Sequence, residues 1–354
     1  MLIDAGDLGI HTGNQEIMKA VPNESKRPAE WIAQYIKHFS SPLGNNGGID
    51  YAFMTHFDGD HIGTNDKSAI ERAGVDYKLS GITHVADLLD IATLVDRDYP
   101  QYNYPSATRF TASHILNYLL FVADRDKAGK KNEGFVTGSN TQFKLLKNEK
   151  GYPGFEVRNV VGNGKIWTGS GTESKELVPL TASPSEQLNE NRCSCGIRIT
   201  YGNFDFFTGG DILGIEKTPE WFDIETPVST LLGETDVVIA NHHAYSDAMS
   251  DTFISQVKAQ AFIIPVWDYY HPQPATLKRM LSGSLYPGDR SIFAAGLVES
   301  NRNRLGEDGS KIKPAGHIVT RVYPGGDKFK VFVLNDRSIT YEIIYKTDEI
   351  KSNN

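Results

Sequence analysis

Cysteine is nearly absent from this chain: two in 354 residues, Cys193 and Cys195. The single residue between them disfavours a mutual bridge, and two thiols make no disulfide framework. So few thiols fit a reducing compartment. No apolar run approaches the roughly 20 residues that span a bilayer, and no signal peptide precedes the first motif. Positive charge is also in short supply. Lys and Arg number 36 against 44 Asp and Glu, a formal charge of −8. That balance argues against a surface that coats nucleic acid, while leaving room for a local basic groove. No internal repeat at solenoid spacing occurs. What is present is core material, with sixteen Tyr and seventeen Phe. The length suits one large domain with an insertion, or two domains.

The chain opens on "MLIDAGD", which reads as a short buried strand over Leu2 to Ala5. A core strand at the first residue leads to the expectation that one or more strands, with any targeting segment, lie upstream. The expected location is cytoplasmic. A polar, glycine-containing loop follows. "RPAEWIAQYIKHF" then places Trp31, Ile32, Tyr35, Ile36 and Phe39 at helical spacing, with Pro28 in the first turn. "SPLGNNGG" stops that helix and "IDYAFMTH" reads as a strand. Strand, helix, strand predicts a parallel pair joined by a crossover, with functional groups at the carboxyl ends of the strands.

From about 66 to 155 the pattern loosens into an expected insertion or cap. It holds a Tyr-rich stretch, "DRDYPQYNYP", either a lid over a ring or packing for the cap, in which Asp96, Arg97 and Asp98 take no assignment. A helix, "SHILNYLLFVAD", and a solvated loop, "DKAGKKNEG", follow. Short strands come next: "FEVRNVV", "GKIWTG", "CGIRITYG", "FDFFTGGD", "TDVVIANHHA" and "AFIIPVWDYYH", with helices at "DTFISQVKAQ" and "ATLKRMLSG". "NVVGNGKIWTG" reads as a tight turn between strands. "ESNRNRLGEDGSKIK" reads as a solvated loop, and "GHIVTRVYPGGDKFKVFVLND" as a hairpin with His317 structural inside it. The pattern is that of an α/β, sheet-rich sandwich flanked by helices.

Polar clusters close the strands. Asp4 ends the first, and "HFDGDHIG" puts His56, Asp58, Asp60 and His61 after the second. Asp211 follows "FDFFTGG", His242 and His243 follow "TDVVIAN", and His271 follows a fifth strand. Neutral imidazole and carboxylate are ligand types for Zn²⁺, Mn²⁺ and Fe. Alternation at 56, 58 and 60 lets a strand end or tight loop turn several ligands to one side, with Gly59 and Gly63 allowing the backbone to turn closely. An Asp-Gly-Asp alone is commonly a turn, and a His-His pair alone is commonly structural. Their recurrence at successive strand ends points to a metal site.

In this order the motifs resemble those of the metallo-β-lactamase fold hydrolases. The family motif H-x-H-x-D-H stands here as H-F-D-G-D-H, with aspartate at the second histidine. That variant is similar to the domain of the bacterial competence DNA-channel proteins (ComEC) and their soluble relatives. There, H-x-D-x-D-H-x-G precedes a "TGD" strand end, an "HHGS" stretch and a later "HP". This chain has "HFDGDHIG", "TGGD", "HHAYSDAMS" and His271-Pro272, and "ENRCSCGIRITYG" is similar to the "N-S-L-V-L" strand.

The resemblance implies an αββα sandwich forming a single domain over 1–354, interrupted at 66–155. It implies one or two divalent ions, zinc or manganese. His56 and Asp58 would hold the first, Asp60 and His61 the second, and Asp211 would bridge. Asp4 would support the histidine loop from behind. The "HH" pair would supply one imidazole; His242 is favoured, and the sequence does not separate it from His243. His271 would ligate metal or touch substrate. The implied activity is hydrolysis of a phosphodiester or other phosphoester, in nucleic acid or a nucleotide, by a metal-bound hydroxide. Asp60, His242 and His243 would carry the catalysis. Ester, lactone or amide hydrolysis with the same metals is the enzymatic alternative, and a degenerate, non-catalytic metal- or ligand-binding protein is the other. Two departures stand out. The family's histidine ahead of the bridging aspartate has no counterpart: His84 and His114 fall in the insertion, and the equivalent "NENRCSC" offers Asn191 and Cys193. "HHGS" is "HHAY" here. Aspartate at position 58 shifts preference from zinc toward harder Mn²⁺ or Mg²⁺.

Overall fold

A computed structural model describes residues 1–9, 16–41, 44, 47–179 and 181–353. Part of the loop after Ala5, and Pro42, Leu43, Asn45 and Asn46 of the expected helix stop, lie outside the described residues. The fold is α/β. It divides into two compact units, Met1–Asn14 with Lys19–Phe135, and Gln15–Met18 with Val136–Asn354. The segment 66–155 is divided between them at Phe135.

The first unit carries a four-stranded sheet. Its strands are β1 (Leu2–Ile3), β2 (Ile49–Phe53), β3 (Ile91–Asp96) and β4 (Lys131–Gly134), side by side in that order. All three pairings are parallel, including the expected β1–β2 pair with its crossover. That crossover contains α1 (Pro28–Ser40), with Pro28 in its first turn and Glu30 accepting from Arg27 N–H at 2.8 Å. A parallel sheet must be covered by its helices. Ala29 and Ala33 of α1 and Ile82 and Val85 of α3 (Ile82–Leu88) share one core with Ile91 and Leu94 of β3. Tyr118, Phe121 and Val122 of α4 (Ser113–Lys127) complete it.

Two sequence expectations change here. "IATLVD" is not irregular cap but β3, nearly all buried, in the middle of the sheet. "DKAGKKNEG" is not all loop: Lys131–Gly134 is strand β4, whose lysine and polar residues suit a sheet edge. The Tyr-rich stretch packs rather than hangs free. Asp96 is buried and accepts from the hydroxyls of Tyr102 and Tyr118 at 2.8 and 2.9 Å, and from the Asp98 and Tyr99 amides. Arg97 lies over the Phe57 and Phe110 rings.

The second unit has two sheets. The larger contains β5 (Phe155–Gly162), β6 (Lys165–Trp167), β7 (Ser174–Glu176), β8 (Gly196–Tyr201), β9 (Phe204–Thr208), β10 (Val237–Ile239), β11 (Ala261–Ile264) and β12 (Ser291–Ala294). Their order is β12-β11-β10-β9-β8-β5-β6-β7, parallel from β9 to β12 and antiparallel elsewhere. Asn163 and Gly164, both at positive φ (49° and 71°), make the tight β5–β6 turn that "VGNGK" predicts. The smaller sheet pairs β13 (His317–Val322), β14 (Lys328–Leu334), β15 (Ile343–Lys346) and β16 (Ile350–Lys351), and contains the expected hairpin. Phe204, Val237, Ala261 and Phe293 of the first sheet pack against Phe329, Val331 and Val333 of the second. The helices are α5 (Glu225–Leu232), α6 (Asp251–Val257), α7 (Pro274–Met280) and α8 (Glu299–Gly309). α8 replaces the solvated loop expected at "ESNRNRLGEDG". Asn301 and Leu305 turn inward, and Asn301 donates to the His271 carbonyl at 2.6 Å. Among the described residues no helix is long and apolar enough to cross a membrane.

Candidate metal centre

In the first unit the polar cluster lies just past β2. The strand stops at Phe53, and Asp58 precedes a four-residue helix, α2 (Gly59–Ile62). The His61 and Ile62 amides donate to the Asp58 carbonyl, closing that turn. His56 lies ahead of this turn, Asp58 caps it, and Asp60 and His61 lie within it. The His56 and His61 rings are 4.0 Å apart. His56 Nε2 lies 3.6 Å from Asp58 Oδ2, and His61 Nε2 lies 3.7 Å from Asp60 Oδ2.

Asp4 holds this loop from the end of β1. It adopts φ 55°, a left-handed conformation that aspartate tolerates better than most residues. Oδ1 accepts the Thr55 amide at 2.7 Å, and Oδ2 accepts the Thr55 hydroxyl at 2.8 Å. Oδ2 also meets His61 Nδ1 at 2.8 Å. With Nδ1 on a carboxylate, His61 keeps its proton there and presents the Nε2 lone pair. The backbones come very close behind the loop. A Cβ on Gly6 would lie 1.8 Å from the Asp60 carbonyl oxygen. One on Gly81 would lie 2.4 Å from the Ala5 carbonyl oxygen and 2.5 Å from that of Ile62.

In the second unit Asp211 follows β9 and is 3 % exposed. His242, His243 and Ala244 follow β10 in three successive left-handed conformations, φ 42°, 52° and 58°. Such residues cost on the order of 1–2 kcal/mol each, so the surroundings must hold them. Glu225 is the main support. It is fully buried at the start of α5 and accepts from Asn241 Nδ2 (2.8 Å), the Met249 amide (2.6 Å) and the Ser250 amide (2.7 Å). Burial raises its pKa, and these donors offset part of the rise. Arg279 clamps the far side through the Ala248 and Met249 carbonyls.

The imidazoles here are also held at Nδ1. His242 Nδ1 is 2.6 Å from Asp247 Oδ1, and His243 Nδ1 is 3.1 Å from the Pro265 carbonyl. His271 Nδ1 is 2.9 Å from Asp268 Oδ1. The outer nitrogens of His242 and His243 face Asp211: Oδ2 is 3.5 Å from His243 Nε2 and 3.8 Å from His242 Nε2. Burial opposes charge on His242, but the Asp247 hydrogen bond and the Asp211 carboxylate outweigh it and raise its pKa. For His271 burial prevails and lowers it. The His271 ring lies 4.8 Å from that of His243. Three residues that sequence did not single out, Glu225, Asp247 and Asp268, position the histidines. Only the i+5 and i−3 spacing of the two aspartates hinted at them.

Lone pairs on neutral Nε2 atoms facing carboxylate oxygens repel unless a proton or a cation lies between. The first unit offers Asp60 and His61, and the second offers Asp211 and His243, as donors of a kind that could hold a metal ion; His242, His56, Asp58 and His271 are not among them. Carboxylate and imidazole are donor types that divalent metals accept. Neither a scan of protein-family models nor a search of curated proteins returns a match to the chain.

Proposed function

We propose that the chain is a metal-dependent hydrolase of phosphodiester or other phosphoester bonds, with a metallo-β-lactamase-like αββα sandwich as its fold. One observation carries the reading. His61, His242 and His243 each have Nδ1 on an acceptor and Nε2 toward a carboxylate, which is how proteins orient metal-ligating histidines. The ordered motifs support the phosphoester class by likeness, and the fold alone would not choose a substrate.

In the first unit Asp60 and His61 are proposed ligands, with His56 and Asp58 beside them for a second ion, and in the second unit Asp211 and His243 are proposed ligands. A divalent ion, when bound, would lower the pKa of a water and offset charge on substrate oxygens. The chain's own groups do the rest. Asp60 orients the attacking water or takes its proton. His242, fixed by Asp247 at Nδ1, offers Nε2 beside Asp211 as a proton acceptor. Asp4 keeps His61 in the tautomer that ligation needs.

The test is hydrolysis of bis(p-nitrophenyl) phosphate by metal-stripped protein refilled with Mn²⁺, Zn²⁺ or Mg²⁺, with Asp60→Ala in parallel. Metal-dependent turnover that vanishes in the variant is expected. Near-wild-type turnover in Asp60→Ala would remove the site. Metal binding without turnover would move the activity to esters, lactones or amides. No metal binding would leave a non-catalytic protein.

A further inference from the structure

We infer that Asn191 supplies a neutral amide oxygen to the metal centre, an inference that rests on the metal-centre reading above. Asn191 opens a short 3-10 turn, Asn191–Cys193, just ahead of β8. Its Nδ2 lies 3.2 Å from His242 Nε2. The histidine dictates which way that amide faces. His242 Nδ1 sits 2.6 Å from the Asp247 carboxylate, so the ring proton belongs on Nδ1 and Nε2 accepts. Only the NH₂ side of the amide can face an accepting Nε2. The oxygen is therefore turned to a different neighbour.

That oxygen, Asn191 Oδ1, is buried and has no hydrogen-bond partner among the described residues. A buried acceptor left without a donor is destabilising and uncommon in folded proteins. The groups around His242 Nε2 are acceptors too. Asp211 Oδ2 lies 3.8 Å from the same His242 Nε2 and 3.5 Å from His243 Nε2, and His243 keeps its proton on Nδ1 toward the Pro265 carbonyl. A carboxylate, an imidazole lone pair and an amide oxygen gathered within one unit call for a cation. An amide oxygen is a hard donor without charge, of the kind that Mn²⁺, Mg²⁺ and Ca²⁺ accept. Asn191 thus tilts the centre toward manganese and away from zinc.

Equilibrium dialysis of the metal-free full chain against Mn²⁺ reads the affinity directly. Asn191→Leu and Asn191→Ala remove the oxygen and should weaken Mn²⁺ binding by about tenfold or more. Asn191→Asp keeps an oxygen but cannot donate to His242 Nε2, and should bind within about threefold of wild type. That variant separates the two roles: if Asn191 only positioned His242, Asn191→Asp would lose as much as Asn191→Leu. Melting temperatures of the metal-free variants establish folding, and Asn191→Ala stands in if the leucine does not fold. Unchanged affinity in the alanine and leucine variants, or equal loss in the aspartate variant, overturns the inference. Wild type that binds no divalent ion overturns the metal-centre reading and the inference with it.

Discussion

The two histidine-bearing segments are held by opposite means. In the first unit Asp4 reaches from one strand end to the next and grips a proposed ligand itself, through Thr55 and His61 Nδ1. In the second unit Glu225 touches no histidine. It grips Asn241 and the backbone of Met249 and Ser250, on both sides of the left-handed turn that carries His242 and His243. The difference follows from backbone conformation. Residues 58–62 form a helical turn without left-handed residues, so the carboxylate is free to set a tautomer. Residues 242–244 adopt φ values that most side chains avoid, so the carboxylate must hold the chain in place. One support therefore governs ligand chemistry, and the other governs local stability.

Breaking the second support should have the largest effect. Glu225→Ala leaves two buried amides and the Asn241 side chain without an acceptor. A loss on the order of 4 kcal/mol in urea unfolding is expected. A loss under about 1 kcal/mol would mean that the turn holds itself.

Next in size is a pH effect at the root of the same turn. Asp236 precedes β10 and accepts from the Asp205 amide, Gln260 Nε2 and the Asn353 amide. Burial pushes its pKa up to about 6, against 3.8 ordinarily, despite those donors. The folded protein thus holds this proton more tightly than the unfolded chain. The stabilisation is fully present below about pH 4 and is lost as pH rises through about 6, amounting to about 3 kcal/mol at most. Urea midpoints at several pH values should show wild type falling relative to Asp236→Asn across that window. Parallel curves would exclude it.

The smallest change in stability should come from the first support, with a large change elsewhere. Asp4→Asn keeps a residue suited to φ 55° and costs about 1 kcal/mol. Its amide NH₂ against His61 Nδ1 would move the ring proton to Nε2 and block ligation. Mn²⁺ affinity should fall about 10- to 100-fold while the fold persists. A variant that loses stability and keeps affinity would reverse the comparison.

Much of this was legible in the sequence. The polar groups after β1, β2, β9 and β10 are where apolar runs give way to Asp and His, and the crossover between β1 and β2 follows from helical spacing. β3 was not legible because a parallel strand buried on both faces lacks alternation, and the aspartates around "DIATLVD" read as turns. Nothing in "KNEG" favours a strand; β4 exists because β3 offers it an edge. α8 hides behind charge, since only Asn301, Leu305 and Gly309 of its eleven residues are buried. Asp4 was expected behind the histidine loop, whereas the Glu225 support was invisible: Glu225 lies sixteen residues before Asn241, a contact that only folding creates.

The crossing of backbones behind the first histidine loop bears on how substitutions in this chain are read. Gly6 rests against the Asp60 carbonyl, and Gly81 is wedged between the carbonyls of Ala5 and Ile62. Even a methyl group at either position would push the loop aside. In a survey of mutational tolerance these glycines would rank with the ligands, although they hold no ion and move no proton. Intolerance around "DAGD" and "LSGI" is therefore a measure of crowding as much as of chemistry. Only a readout of ion binding in variants that still fold can tell the two apart.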